Sequence, residues 1–300
     1  MRNKLVLNLQ KLLNMSKLIA NNETLLHFVP NVLKSVQGEL ALFEKIQSHL
    51  EVAEDWLTAN FLSASVLDMI AASDDESTNK LLHHARIAEV AEAMLHAIPQ
   101  LDLVLTPNGF GIVSNSNVAP ASKERVERLL ASLEKMRDDT LQVLLPMLTA
   151  EAAWADTAPC LYFQSTLYPW LDLPRQLGST DHAWARFQEL HSRMIEIEQR
   201  LAADFFSSEL LSALRQAHLF GAWDATASAP YYRHAWQHIF AIVLFMLREN
   251  ECPVPSCIEV VNALRNAPEG VFEEWKQSKT ALLFENHGFK NQKRSGGYWF

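Results

Sequence analysis

The chain has 300 residues, 49% hydrophobic and 20% charged, a balance that can bury one large core or two of ordinary size. Its formal net charge of −9 argues against nonspecific nucleic-acid binding, which needs a basic surface to displace counterions. The three cysteines, Cys160, Cys252 and Cys257, have no zinc-like spacing and suggest a reducing compartment with no disulfide framework.

Residues 1–22 are basic and leucine-rich. Asn8, Gln10, Lys11, Asn14 and Lys17 interrupt the apolar run at helical spacing. This predicts an amphipathic helix over 2–20, ended by Asn21-Asn22, and not a secretory leader. Residues 23–37, broken by Pro30, read as irregular. A helix is expected over 39–62, where Leu42, Ile46, Leu50, Ala53, Leu57 and Phe61 recur at three and four. Residues 72–78 form a polar loop, and a second helix runs over 79–98 until Pro99 closes it. Residues 101–114 read as a β-hairpin, because Asn108-Gly109 between aliphatic runs is a strong two-residue turn signal. Ser122 is expected to N-cap a long helix over 123–147, with Val126, Leu129, Leu130, Leu133, Met136, Leu141 and Leu145 on one face. A boundary rich in Trp, Pro and Asp follows at 149–181. Further helices are expected over 183–206 and 231–250, with a third opening at Pro255. No apolar run approaches the ~20 residues of a membrane span.

The second half repeats the first. Residues 43–67 lie without gaps on 187–211. Phe43, Ser48, Glu54, Leu57, Ala59, Phe61, Ser63 and Leu67 meet Phe187, Ser192, Glu198, Leu201, Ala203, Phe205, Ser207 and Leu211. Upstream, Thr24-Leu25 meets Thr166-Leu167; downstream, Ile87, Val90, Met94 and Leu95 are echoed by Ile239, Ile242, Met246 and Leu247. The expected fold is therefore mainly α, with two duplicated units of about three helices each and one hairpin in the first. The divisions are a helix at 1–22, unit one at 23–150, unit two at 151–284 and a tail at 285–300. Decorations added to a repeated body are where function is expected.

No residue pattern points to catalysis, a cofactor or a bound metal. His234 and His238 share a helix face, but the stretch HAWQH lacks the HExxH glutamate. Half-buried packing with satisfied ring nitrogens is the simpler account. His83-His84 point in different directions. The carboxylate pairs at 51/54/55, 74/75/76, 196/198 and 273/274 read as solvated faces. Glu54 and Glu198, at the same place in both copies, are expected to make a structural ion pair or hydrogen bond within each unit. The hairpin tip (Asn108, Gly109, Phe110) either projects into a partner or caps its own helices. The tail carries Lys290, Lys293 and Arg294, then Tyr298-Trp299-Phe300 after a Gly-Gly spacer. Three consecutive aromatics are costly to leave in water and are expected to dock in the chain's own groove or in a neighbour.

Residues 101–130 (LDLVLTPNGFGIVSNSNVAPASKERVERLL), with Ala53-Glu54-Asp55-Trp56-Leu57, resemble an uncharacterised family of phage and prophage structural proteins from gut bacteria. Chains of that family pair an AExWL helix with LDLVLTxxGFGVVSN and APASKxRV. The resemblance implies a non-enzymatic particle component near a head-tail joint, a connector or neck adaptor assembled as an oligomeric ring. It would work in a virion or in the host cytoplasm during assembly, with other particle proteins as partners and no membrane or specific nucleic acid. Two other readings stay open. One is a cytosolic helical enzyme or ligand-binding protein with a pocket between the units lined by Trp170, His234, Trp236 and His238. The other is a regulatory or immunity protein acting one-to-one.

Overall fold

The computed structural model describes residues 16–29, 40–72, 79–101, 103–106, 109–112, 122–225 and 228–285. The protein is mainly α-helical, with thirteen α-helices among the described residues. None of them is long and apolar enough to cross a membrane. The chain divides into two compact units. Unit one comprises Met1–Ser165 and Pro169–Leu190, and unit two comprises Thr166–Tyr168 and His191–Phe300. Unit one thus continues past the boundary expected at residue 150. The reason is aromatic: Phe61 packs on Phe163 at 5.5 Å and on Trp184 at 4.7 Å between ring centroids.

Unit one contains α1 (Asn22–Phe28), α2 (Leu42–Leu57), α3 (Ala64–Ala71), α4 (Lys80–Leu101), α5 (Lys123–Leu148), α6 (Ala158–Gln164), α7 (Leu173–Gln176) and the start of α8 (Ala183–Leu201). Helices α2, α4 and α5 carry most of its packing. Residues 16–20 are not helical, so the helix expected over 2–20 does not extend that far; residues 1–15 lie outside the described residues. Asn21 begins a helix where it was expected to end one, because its Oδ1 accepts the Thr24 N–H at 2.9 Å. Helix α4 continues through Pro99 to Leu101. A proline so near a C-terminus forfeits one backbone bond, and the last turn closes around it. Helix α5 begins at Lys123 without a side-chain cap from Ser122. Only its second half is buried, through Arg137, Asp138, Leu141, Leu144, Leu145 and Leu148; Leu129, expected on the buried face, is 48% exposed. Between α4 and α5, β1 (Leu103–Thr106) pairs antiparallel with β2 (Gly109–Ile112), Thr106 opposite Gly109 and Leu105 opposite Phe110.

Unit two contains the rest of α8, then α9 (Ser208–Leu219), α10 (Ala229–Glu249), α11 (Val254–Arg265), α12 (Glu273–Lys276) and α13 (Lys279–Leu282). Its core gathers Ile239, Val243, Leu210, Leu211, Leu214, Val261 and Leu264. Two short helices, α3 and α9, follow the repeated helices α2 and α8 and have no counterpart in the sequence-based expectation.

Both repeated helices end alike. Helix α2 passes into a π-turn at Thr58–Leu62, where Ser63 N–H bonds the Thr58 carbonyl five residues back. Helix α8 does the same at Ala202–Phe206, where Ser207 N–H bonds the Ala202 carbonyl. A π-turn widens the helix by one residue and turns a carbonyl outward. Trp154 fills that place in unit one, its indole N–H donating to the Phe61 carbonyl at 2.6 Å. Trp275 does so in unit two, donating to the Phe205 carbonyl at 2.9 Å.

Candidate interaction groove

Helix α10 is apolar around more of its circumference than one core requires. Ala235, Ile239, Phe240, Ile242, Val243, Met246 and Leu247 face the core of unit two. A second stripe, Tyr231, His234, His238, Ala241 and Phe245, recurs at three and four and is exposed, the seam spacing of a helix with a further partner. Pro230 lies in the first turn of α10, and Asn250 ends the helix in the left-handed conformation (φ 57°). Pro253 and Pro255 then start α11 within a few residues, so the two helices lie side by side.

Between them runs a groove of about 740 Å³, lined by Tyr231, His234, His238, Ala241 and Phe245 from α10 and by Ser256, Glu259, Val260 and Ala263 from α11, with Phe272 beyond. Tyr231 is 44% and Phe245 42% exposed. Phe272 has φ 58°; its N–H donates to the Tyr232 hydroxyl, which donates in turn to Glu274 Oε2 at 2.8 Å.

The histidines expected to be half-buried with satisfied nitrogens are exposed, and their Nε2 atoms face each other at 3.0 Å. They line the groove, which belongs to unit two alone. Trp170 and Trp236, expected beside them, are not in its lining. Trp236 turns inward, stacking on His218 at 4.0 Å and donating its indole N–H to the Leu167 carbonyl. Among the described residues no group of three or more His, Cys, Asp or Glu is placed to hold a metal ion. Cys252 and Cys257 are free thiols 3.9 Å apart. Burial, then the neighbouring Cys252, pushes the Cys257 thiol up to about 12, far from a nucleophile's range.

Of the assembly residues singled out in the sequence, Gly109 and Phe110 lie on β2. Asn108, Lys290, Lys293, Arg294, Tyr298, Trp299 and Phe300 lie outside the described residues.

The repeated glutamates are structural hubs. Glu54, on α2, accepts the backbone N–H groups of Lys17 and Leu18 and lies 2.8 Å from Ser16 Oγ. Glu89, on α4, stands 2.7 Å from the same hydroxyl. One hydroxyl hydrogen serves one carboxylate, so the other brings its own proton. Glu89 is fully buried, and burial holds its carboxyl well above the usual range, aided by Glu54 and opposed by the Ser16 hydrogen bond and Arg86. In unit two Glu198 accepts the Leu167 N–H at 2.8 Å and pairs with Arg215 at 2.7 Å. Each glutamate thus grips a short irregular segment by its backbone, and a long helix holds that segment's carbonyl: Arg86 bonds the Leu18 carbonyl, Trp236 that of Leu167. The Ser16–Leu18 and Thr166–Tyr168 segments are thus held in the same manner.

A family model matches residues 30–164, described as a family of unknown function (DUF6712). The matched span covers rather less than half of the chain and runs from ahead of α2 to the end of α6; the groove lies beyond it. Neither a search of curated proteins nor one of solved structures found a match.

Sequence reasoning missed Arg137, Glu92, Asp138, Trp154 and Trp275. The tryptophans left a trace: each stands three residues before a helix-capping hydroxyl, Thr157 and Ser278.

Proposed function

We propose that this chain is a non-enzymatic structural component of a phage or phage-like particle, a connector or neck adaptor that assembles into an oligomeric ring, built from two duplicated helical units. The observation that carries the reading is the exposed 3-4-3-4 stripe on α10, which presents Tyr231 and Phe245 beside α11. Contiguous exposed apolar surface of this kind marks interaction sites, and aromatics supply the anchors of interfaces. The resemblance of residues 101–130 to phage structural chains supports the particle setting. The paired π-turns, the paired tryptophans and the paired glutamates support the duplication. Negative-stain imaging of the purified chain tests the proposal: discrete rings are expected, and single separate subunits at micromolar concentration would contradict it.

A second reading has its own observation. A groove of about 740 Å³ falls in the size range of small-molecule sites, and His234, His238, Ser256 and Glu259 supply polar groups along it. A ligand-binding protein would show saturable stabilisation by a small apolar molecule, abolished by Ala241→Arg.

A further inference from the structure

We propose that the groove between α10 and α11 receives Tyr298, Trp299 and Phe300 of a second copy of this chain, an inference that rests on the assembly reading above.

Four observations converge. First, the groove is apolar at both ends, with Tyr231 and Phe245 exposed, and three aromatics in succession are the most apolar stretch of residues 286–300. Each aromatic side chain has roughly 150–250 Å² to bury. Second, the charges are complementary: the lining holds Glu259 and no Lys or Arg, whereas residues 286–300 hold Lys290, Lys293 and Arg294 and no Asp or Glu. Third, the chain leaves the described structure beside the groove. Arg265, at the end of α11, donates to the Phe284 carbonyl, one position beyond Leu264 in the lining. Fourth, the segment is long. Fifteen residues span up to about 50 Å when extended, whereas α11, with 12 residues, is about 18 Å long. That reach lets residues 298–300 cross to the groove of an adjoining copy. A tail-to-groove contact between copies is heterologous, and such contacts form rings when the rotation between copies closes and filaments when it does not.

The test uses full-length chains and light scattering. The tail variant carries Y298S, W299S and F300S. The groove variant carries A241R, at an exposed position where the arginine fills the groove without entering the core. Wild type is expected to be oligomeric, each variant alone to be smaller, and their equimolar mixture to form a two-subunit species, an intact tail meeting an intact groove. If wild type is oligomeric but the mixture is no heavier than its parts, the inference is overturned and the assembly reading stands. If wild type is a monomer, the assembly reading fails. A labelled peptide of residues 286–300 that then binds the tail variant, and binds at least tenfold more weakly when A241R is added, would place the tail in its own groove and overturn the second copy as its source.

Discussion

Ser63 and Ser207 hold the same backbone conformation, φ 72°, ψ 159° and φ 64°, ψ 152°, each straight after a π-turn and each capping the next helix. Their hydroxyls accept the Val66 and Leu210 N–H groups. This region of φ and ψ is all but reserved for glycine and costs about 1–3 kcal/mol in other residues. In each case the serine side chain closes the start of the helix that follows the sharp turn.

That trade-off gives a paired prediction. Ser63→Gly removes the strain and, as an N-cap, loses only a few tenths of a kcal/mol, so it should stabilise unit one by about 1 kcal/mol. Ser63→Ala keeps the strain and loses the cap, costing about 1 kcal/mol. Ser207 should behave likewise in unit two. Urea unfolding checks both signs; a destabilising Ser63→Gly would refute the strain argument.

The indole contacts at Phe61 and Phe205 should lock the π-turns. Trp154→Phe and Trp275→Phe keep an aromatic ring but leave a carbonyl without its donor, at a cost of about 1–3 kcal/mol. Hydrogen exchange localises the effect. The Ser63 amide should exchange faster in the first variant and the Ser207 amide in the second, each without change in the other.

Arginines paired with buried carboxylates should be the most sensitive polar positions. Arg137 reaches Glu92 at 2.7 Å and Asp138 at 2.8 Å, all three buried, and Arg215 reaches buried Glu198. Removing one partner of a buried pair strands the other's charge, so Arg137→Ala and Arg215→Ala should each cost about 3–5 kcal/mol. Adding Glu92→Gln to the first, or Glu198→Gln to the second, should recover part of the loss in thermal unfolding.

Two buried groups pull the pH dependence in opposite directions. Burial lowers His218 to about 4. The unfolded chain therefore binds more protons below about 6.5, and stability is lost as pH falls from there towards 4. Glu89 is raised, so the folded chain holds the extra proton, and its contribution is lost as pH climbs from about 4.3 through the raised value. His218→Phe should flatten the acid side of the stability profile, and Glu89→Gln the alkaline side. Denaturation midpoints across pH 4–9 read both; an unchanged profile in either variant would remove that assignment.

Much of the helical plan was legible in the sequence. The periodicity of Leu42, Ile46, Leu50 and Leu57 located α2, and all four except Leu42 are fully buried. The Glu54–Glu198 correspondence pointed to structural hydrogen bonding, which the backbone grips supply. What escaped detection depends on tertiary packing. A π-turn has no composition of its own, so α3 and α9 were merged into or lost beside their neighbours. Leu129 satisfied the helical period yet is exposed, and Leu130 is half-buried. Arg137, amid Lys135, Asp138 and Asp139 on a charged helix, reads as solvated until Glu92 on α4 is brought against it. The groove was hidden for the converse reason: Tyr231, His234, His238 and Phe245 have the spacing of a buried face, and nothing local shows that α10 already buries another.

The central claim is assembly through the tail and the groove, and mass in solution tests it most directly. Light scattering on the full chain and on a version ending at Asn291 should give a large discrete oligomer for the first and a single subunit for the second. Equal masses for the two would contradict the account.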